Sequence, residues 1–252
     1  MIYFAIPLRS KTTTNNWGKI QTLFNNTIRS IYSQTDPNFK IIVACHEKPE
    51  IDFEVDDRLE FIQVDFPSPT KKEEQMPDKF YKKRYIAKRV RELGGGHIMF
   101  VDADDLVSNS IAKFVNARPD EGGWYLNFGY EYNQLTHKIQ IMPFFHLICG
   151  TCAIMKFEVN DLPSDVKFKG FVQEKKYIFD YSHSDWKSVY GIKKTKLKQL
   201  PFIGAVYNIN TGENVSKVNV ENSNGGRKKL QKILPKFNVN RLMSRAFPTL
   251  SD

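Results

Sequence analysis

The chain has 252 residues and a formal net charge of +9 at pH 7, and 41% of it is hydrophobic and 13% aromatic. That composition excludes a disordered chain and supplies the core of one large α/β domain or two small ones. The charge favours anionic partners, namely nucleotide diphosphates, nucleic acid or anionic lipid, without choosing among them. Residues 2–8 form a compact apolar run that lacks the basic start of a secretory leader, so a cytoplasmic chain is expected. The run ends in Pro7-Leu8-Arg9-Ser10, a polar exit like that of the first strand in a nucleotide-binding α/β unit, which makes Pro7 and Arg9 candidate nucleotide contacts. Trp17, Ile20, Leu23, Phe24, Thr27, Ile28 and Ile31 then recur at helical spacing, with Asn16 placed to cap them. Gln34-Thr35-Asp36-Pro37-Asn38 stops that helix and residues 40–45 read as a second strand, so a parallel crossover is expected. Glu47, just past it, is placed to bind a ribose or base edge, or to sit in a solvated turn. Residues 59–66 alternate as a third strand, and a Pro-rich, charged loop follows at 67–77.

Asp78 is placed to cap a strongly basic helix carrying Lys79, Lys82, Lys83, Arg84, Lys88, Arg89 and Arg91. Tyr85, Ile86, Val90 and Leu93 hold one face inward and Gly94 ends it. Most of these charges are expected in solvent, with Lys79 or Arg84 meeting a diphosphate near the helix start. The stretch His97-Ile98-Met99-Phe100-Val101-Asp102-Ala103-Asp104-Asp105 then reads as a buried strand whose end emerges among three carboxylates. Ligands of open α/β sheets bind beyond the carboxyl ends of the strands. Crowded carboxylates repel unless a cation joins them, and hard Mg²⁺ or Mn²⁺ takes one or two carboxylates plus diphosphate oxygens. Asp102 and Asp104, with only Ala103 between them, can turn toward one such ion; an ordinary capping turn fits these residues as well.

Residues 108–117 read as a short helix, and 124–132 with 138–142 as an antiparallel hairpin dense in aromatics. Its rings, Trp124 among them, either fill the core or stack on a sugar. The most apolar segment, 144–155, is interrupted by His146 and Gly150 and falls short of the ~20 residues that span a bilayer. Cys149 and Cys152 have redox or zinc spacing but no second ligand pair, so with Cys45 they read as buried thiols. Residues 151–157 form a further strand, and 179–186 gather Asp180, His183 and Asp185 before a short helical segment. His183 titrates near neutrality, which suits a base, a metal ligand, a phosphate contact or simple packing. After a last strand at 201–209, Asn210-Thr211-Gly212-Glu213-Asn214 suits hydrogen bonding to hydroxyls, or a turn that needs Gly212. From Arg227 the tail is basic around Leu230, Ile233, Leu234, Phe237, Leu242, Met243 and Phe247, a pattern that binds an anionic membrane surface or packs on its own domain.

The order strand, helix, strand, strand, basic helix carrying Arg84, then a strand ending in Val101-Asp102-Ala103-Asp104-Asp105 resembles, over residues 1–216, the GT-A fold glycosyltransferases, particularly the large inverting family of bacterial surface-polysaccharide synthesis. The resemblance implies a Rossmann-like α/β fold, its central mostly parallel sheet flanked by helices, with the aromatic hairpin on the acceptor side. It divides the chain into a nucleotide-sugar half at 1–107, an acceptor half at 108–216 and a tail at 217–252. It implies Mn²⁺ or Mg²⁺ on Asp102 and Asp104 at the donor diphosphate, with His183 a late ligand, and the donor a UDP-sugar. Arg84 stands where the family often has Arg, whereas Glu47 stands where it usually has Asp. A carboxylate beyond the metal motif would be the general base, Asp185 first and Asp180 second, with His183 beside them. Transfer to a hydroxyl of a saccharide or lipid-linked saccharide would invert the anomeric centre, with Trp124, Asn210, Thr211, Glu213 and Asn214 at the acceptor or sugar. Two rivals rank lower. A nucleotidyltransferase normally carries a Gly-rich phosphate loop, which Pro7-Leu8-Arg9-Ser10-Lys11-Thr12 is not, and a nucleic-acid-binding module has no motif here, so nucleic acid is not an expected partner.

Overall fold

The computed structural model describes residues 1–172, 174–213 and 233–251. The first apolar run becomes strand β1 (Ile2–Pro7), every residue of which is buried. A strand with no solvated face needs cover on both sides, and each large aliphatic or Phe side chain so buried contributes about 1.5–3 kcal/mol. Helix α1 (Trp17–Tyr32) turns Ile20, Leu23, Phe24, Ile28 and Ile31 inward and is capped as expected, Lys19 N donating to Asn16 Oδ1 at 3.0 Å. Strands β2 (Phe39–Cys45) and β3 (Leu59–Gln63) add in parallel on one side of β1. Helix α2 (Gln75–Glu92) packs against β1 and β2 and ends at Gly94 and Gly95, both at positive φ. Only glycine fits the second position, because a Cβ there would lie 2.7 Å from the Phe157 carbonyl oxygen. Strand β4 (Gly96–Phe100) then pairs parallel on the other side of β1.

The chain continues through β5 (Leu106–Val107), α3 (Ile111–Asn116), β6 (Gly123–Tyr125), β7 (Phe128–Asn133), β8 (Lys138–Pro143), β9 (Ala153–Phe157), α4 (Trp186–Lys193), β10 (Lys198–Gln199), β11 (Ala205–Ile209) and α5 (Arg241–Ala246). Seven strands form the central sheet in the order β10-β6-β9-β4-β1-β2-β3. All its pairs are parallel except those of β9, which runs against both β4 and β6. The expected α/β class, a mostly parallel central sheet flanked by helices, is therefore what forms. A second sheet, β5-β11-β7-β8, contains the antiparallel aromatic hairpin, with Tyr130 opposite Ile141.

Several expectations are corrected. Residues 124–132 are not one strand: Leu126 N bonds Cys152 O and Asn127 O accepts from Phe145 N, so β6 stays in the central sheet and β7 enters the second. Asp78 does not cap α2, which starts three residues earlier at Gln75. Lys82, Lys83 and Arg84 are buried rather than solvated. The described tail packs on its own domain: Met243, Phe247 and Leu250 form a core with Leu106, Ile139 and Val206, and Phe237 and Ile139 exchange backbone hydrogen bonds of 3.0 Å. Asn214 and the basic residues from Arg227 to Lys232 lie outside the described residues. No described helix is long and apolar enough to cross a membrane.

Candidate active site

A cavity of about 430 Å³ opens where β1 and β4 end, walled by the β1 exit, the start of α2, the 102–104 loop and the turn that carries His183. Its floor is set by the acidic loop. Asp102 and Asp104 both line the cavity, whereas Asp105 turns inward and is fully buried. Lys79, on the first turns of α2, lays Nζ 2.5 Å from Asp102 Oδ1. Burial alone would push the Asp102 carboxyl up, but the Lys79 ammonium outweighs it and holds the group below the usual carboxylate range. At Asp104 burial, with Asp102 adding repulsion, outweighs the pull of Lys79 and Arg9 and pushes the group up to about 7. A divalent cation would reverse that balance, so this pair suits one.

Arg9 and Glu213 close the opposite wall. Arg9 Nη1 donates to Glu213 O at 2.8 Å and to Glu213 Oε2 at 3.3 Å, Arg9 Nε donates to Thr13 Oγ1 at 3.1 Å, and Thr14 Oγ1 donates to Glu213 Oε2 at 2.8 Å. The loop after β1 is thereby tied to the loop after β11. Asn210 sits at φ 58 and Gly212 at φ 81, and Thr211 is buried, its Oγ1 accepting from Glu213 N at 3.2 Å. Among the described residues of that predicted stretch, Glu213 is the one that reaches the cavity.

His183 projects from a 3-10 turn (His183–Asp185) into the cavity. Burial pulls its imidazole below the ordinary range, so the ring is neutral at pH 7. One ring edge bonds the Leu147 backbone, and Nε2 is buried without a hydrogen-bond partner. A ring proton committed to a carbonyl leaves Nε2 as the acceptor.

Other predicted residues lie elsewhere. Arg84 and Asp180 find each other: Arg84 Nε and Nη2 each donate to the Asp180 carboxylate at 3.0 Å, and Asp180 is fully buried, so this pair joins α2 to the 176–180 segment instead of facing substrate. Glu47 accepts from Lys11 N at 2.9 Å and from Ser10 Oγ at 3.2 Å, which braces the β1 exit loop and occupies the carboxylate expected at a ribose. Trp124 is a core residue, stacked on His97 with ring centroids 5.5 Å apart and only 2% exposed, so it offers no face to an acceptor. Asp185 ends the His183 turn, half-buried, and does not line the cavity. Among the described residues no three His, Cys, Asp or Glu side chains are grouped to hold a metal ion.

Sequence reasoning also missed Asp78. It lines the cavity while bonding His46 Nε2 at 2.9 Å and Lys82 Nζ at 2.8 Å, and Lys82 also donates to Leu8 O at 2.8 Å. A signal was available, since Asp78 and Lys82 stand at i and i+4 of a helix.

Fold and site together define an α/β protein with a cavity at the carboxyl edge of its sheet that presents paired carboxylates, two cations and a neutral imidazole. No protein-family model matches the sequence, and no curated protein matches it. Among solved structures the chain is similar to S. aureus TarS, at 14% identity and a TM-score of 0.32, over 53% of this chain and 21% of that one. It is similar also to residues 1–349 of TarS, at 14% identity and a TM-score of 0.47, over 82% of this chain and 60% of that one. The chain thus spans about a fifth of the longer TarS chain and 60% of the shorter.

Proposed function

We propose that this chain is a glycosyltransferase that moves a sugar from a nucleotide-diphosphate sugar, a UDP-sugar, to a hydroxyl of a saccharide or lipid-linked saccharide in cell-surface polysaccharide synthesis. The observation that carries the reading is a cavity lined together by Asp102, Asp104, Lys79, Arg9 and His183, whose Nε2 has no hydrogen-bond partner. Asp102 and Asp104 would hold Mg²⁺ or Mn²⁺, which when bound neutralises charge on the leaving diphosphate. Two carboxylates suffice for such an ion when substrate phosphate oxygens and water fill its remaining positions.

The chain's own groups do the rest. Lys79, paired with Asp102, would add a second positive charge where negative charge develops on a diphosphate bound there. Arg9 and Glu213 fix the two loops that border the donor. His183 Nε2 takes the proton of the acceptor hydroxyl as its oxygen bonds the anomeric carbon and the bond to the diphosphate oxygen breaks, a single displacement that inverts the centre. General-base assistance of this kind contributes about 10²–10⁴-fold. The role first expected of Asp185 passes to His183, because His183 lines the cavity and Asp185 does not.

Calorimetric titration with UDP, GDP and CMP, with and without Mn²⁺, tests the donor site. One nucleotide is expected to bind only with metal, and Asp104→Asn is expected to abolish that binding. If none binds, or if Asp104→Asn matches the parent, the cavity is not a donor site. His183→Gln should keep donor binding and lose about 10²-fold or more in transfer.

A further inference from the structure

The mechanism uses two of the three clustered carboxylates, and the third has the more elaborate surroundings. Asp105 is fully buried, and a carboxylate is costly to bury unless donors surround it. Three donors from two other parts of the chain do so: Thr151 Oγ1 at 2.6 Å and Cys149 Sγ at 3.1 Å to Oδ2, and Asn208 N at 3.3 Å to Oδ1. The Thr151 hydroxyl also accepts from Asp102 N at 2.9 Å. One oxygen therefore joins both ends of the 102–105 loop, whose own turn is closed by Asp105 N donating to Asp102 O at 3.0 Å. Asn208 holds the middle, its side-chain amide donating to Asp104 O. Gly150 backs the arrangement from behind, since a Cβ there would stand 2.6 Å from Asp102 Oδ2.

We propose that Thr151 and Asp105 are positioning residues, which through the Thr151 hydroxyl fix the direction in which Asp102 and Asp104 present their carboxylates to a divalent cation and diphosphate. The inference rests on the donor-site reading above. Groups that orient metal-binding side chains typically account for about 10–100-fold in affinity when removed. Thr151 has no route to the substrate itself, because its hydroxyl is committed to Asp102 N and Asp105 Oδ2.

The test compares Thr151→Val, which keeps shape and loses the hydroxyl, with Thr151→Ser, which keeps the hydroxyl. Two readouts are taken on the full chain: Mn²⁺-dependent affinity for UDP by calorimetry, and metal-free hydrogen exchange of the Asp102 amide by NMR. The valine variant is expected to bind Mn²⁺ and UDP about 10–100-fold more weakly and to exchange its Asp102 amide faster, and the serine variant to restore both. Thr151→Ala against Thr151→Ser, which differ by the hydroxyl alone, gives the same comparison where valine prevents folding. If Asp104→Asn abolishes binding while the hydroxyl-free variants bind as the parent does, the positioning role is wrong. If Asp104→Asn and the hydroxyl-free variants all bind like the parent, the donor-site reading fails and this proposal falls with it. A loss that serine fails to rescue also overturns it, since the effect would then be one of packing.

Discussion

Lys83 is buried with its ammonium facing rings: Nζ lies 4.5 Å from the Trp186 centroid, 5.1 Å from Phe100 and 5.5 Å from Phe80. Burial, with repulsion from Lys79 adding to it, lowers its pKa from 10.5 to about 7. At 1.36 kcal/mol per unit, that corresponds to about 5 kcal/mol between the charged and neutral forms. Between about pH 7 and 10.5 the unfolded chain holds a proton on Lys83 that the folded chain has shed. Raising the pH removes it from the unfolded state only, so this group makes stability rise with pH across that window and adds no slope outside it. Lys83→Met places a flexible apolar side chain of similar length among the same rings and deletes the titration. Urea unfolding of parent and variant at pH 7, 8 and 9 should find the variant more stable at pH 7, with the gap closing by about 2–2.5 kcal/mol by pH 9. Groups that titrate alike in both proteins cancel in the difference. A gap that does not change with pH would refute the reasoning and mean that the ring faces hold the ammonium charged.

Removing Arg84 leaves the Asp180 carboxylate buried without its cation, held by the Lys176 and Tyr177 backbone amides at 3.1 and 2.8 Å, so Arg84→Ala should cost about 3–5 kcal/mol in urea unfolding while leaving Mn²⁺-dependent UDP affinity unchanged where the protein is folded. Loss of affinity at full stability would return Arg84 to the donor site. Because Asp104 is pushed up to about 7, a metal must displace its proton below that pH, and Mn²⁺ affinity should fall by up to about tenfold per unit as the pH drops from 7 to 6. Electron paramagnetic resonance of free Mn²⁺ reads this directly, and equal affinity at pH 6 and 8 would contradict it.

What could be read from sequence was whatever depends on local pattern. The fully apolar run at β1 and the spacing of α1 follow from periodicity, and the exit of β4 into Asp102 and Asp104 marks the sheet's carboxyl edge in any parallel arrangement. What periodicity cannot carry is pairing between distant charges. Lys83 and Arg84 read as solvent-facing on composition, yet each is buried because a partner elsewhere receives it, the Trp186 ring and Asp180, and Lys82 is buried between its helix neighbour Asp78 and the distant Leu8 O. The same blindness placed Glu47 at a ribose and Trp124 at an acceptor, since neither the Ser10 loop nor the His97 ring is near in sequence.

The reversed direction of β9 has a consequence for how the two sheets are joined. A strand parallel to β4 would bring only its exit to the sheet's working edge, and its approach would run along the far side. Because β9 is antiparallel, residues 149–152 arrive at that edge before the strand begins, and they come directly from the hairpin of the second sheet. Gly150 and Thr151, at the end of that connection, lie against the Asp102 carboxylate and bond the Asp102 amide. The second sheet and the 102–105 loop are thus joined through residues 149–152, a short path between two elements far apart in sequence.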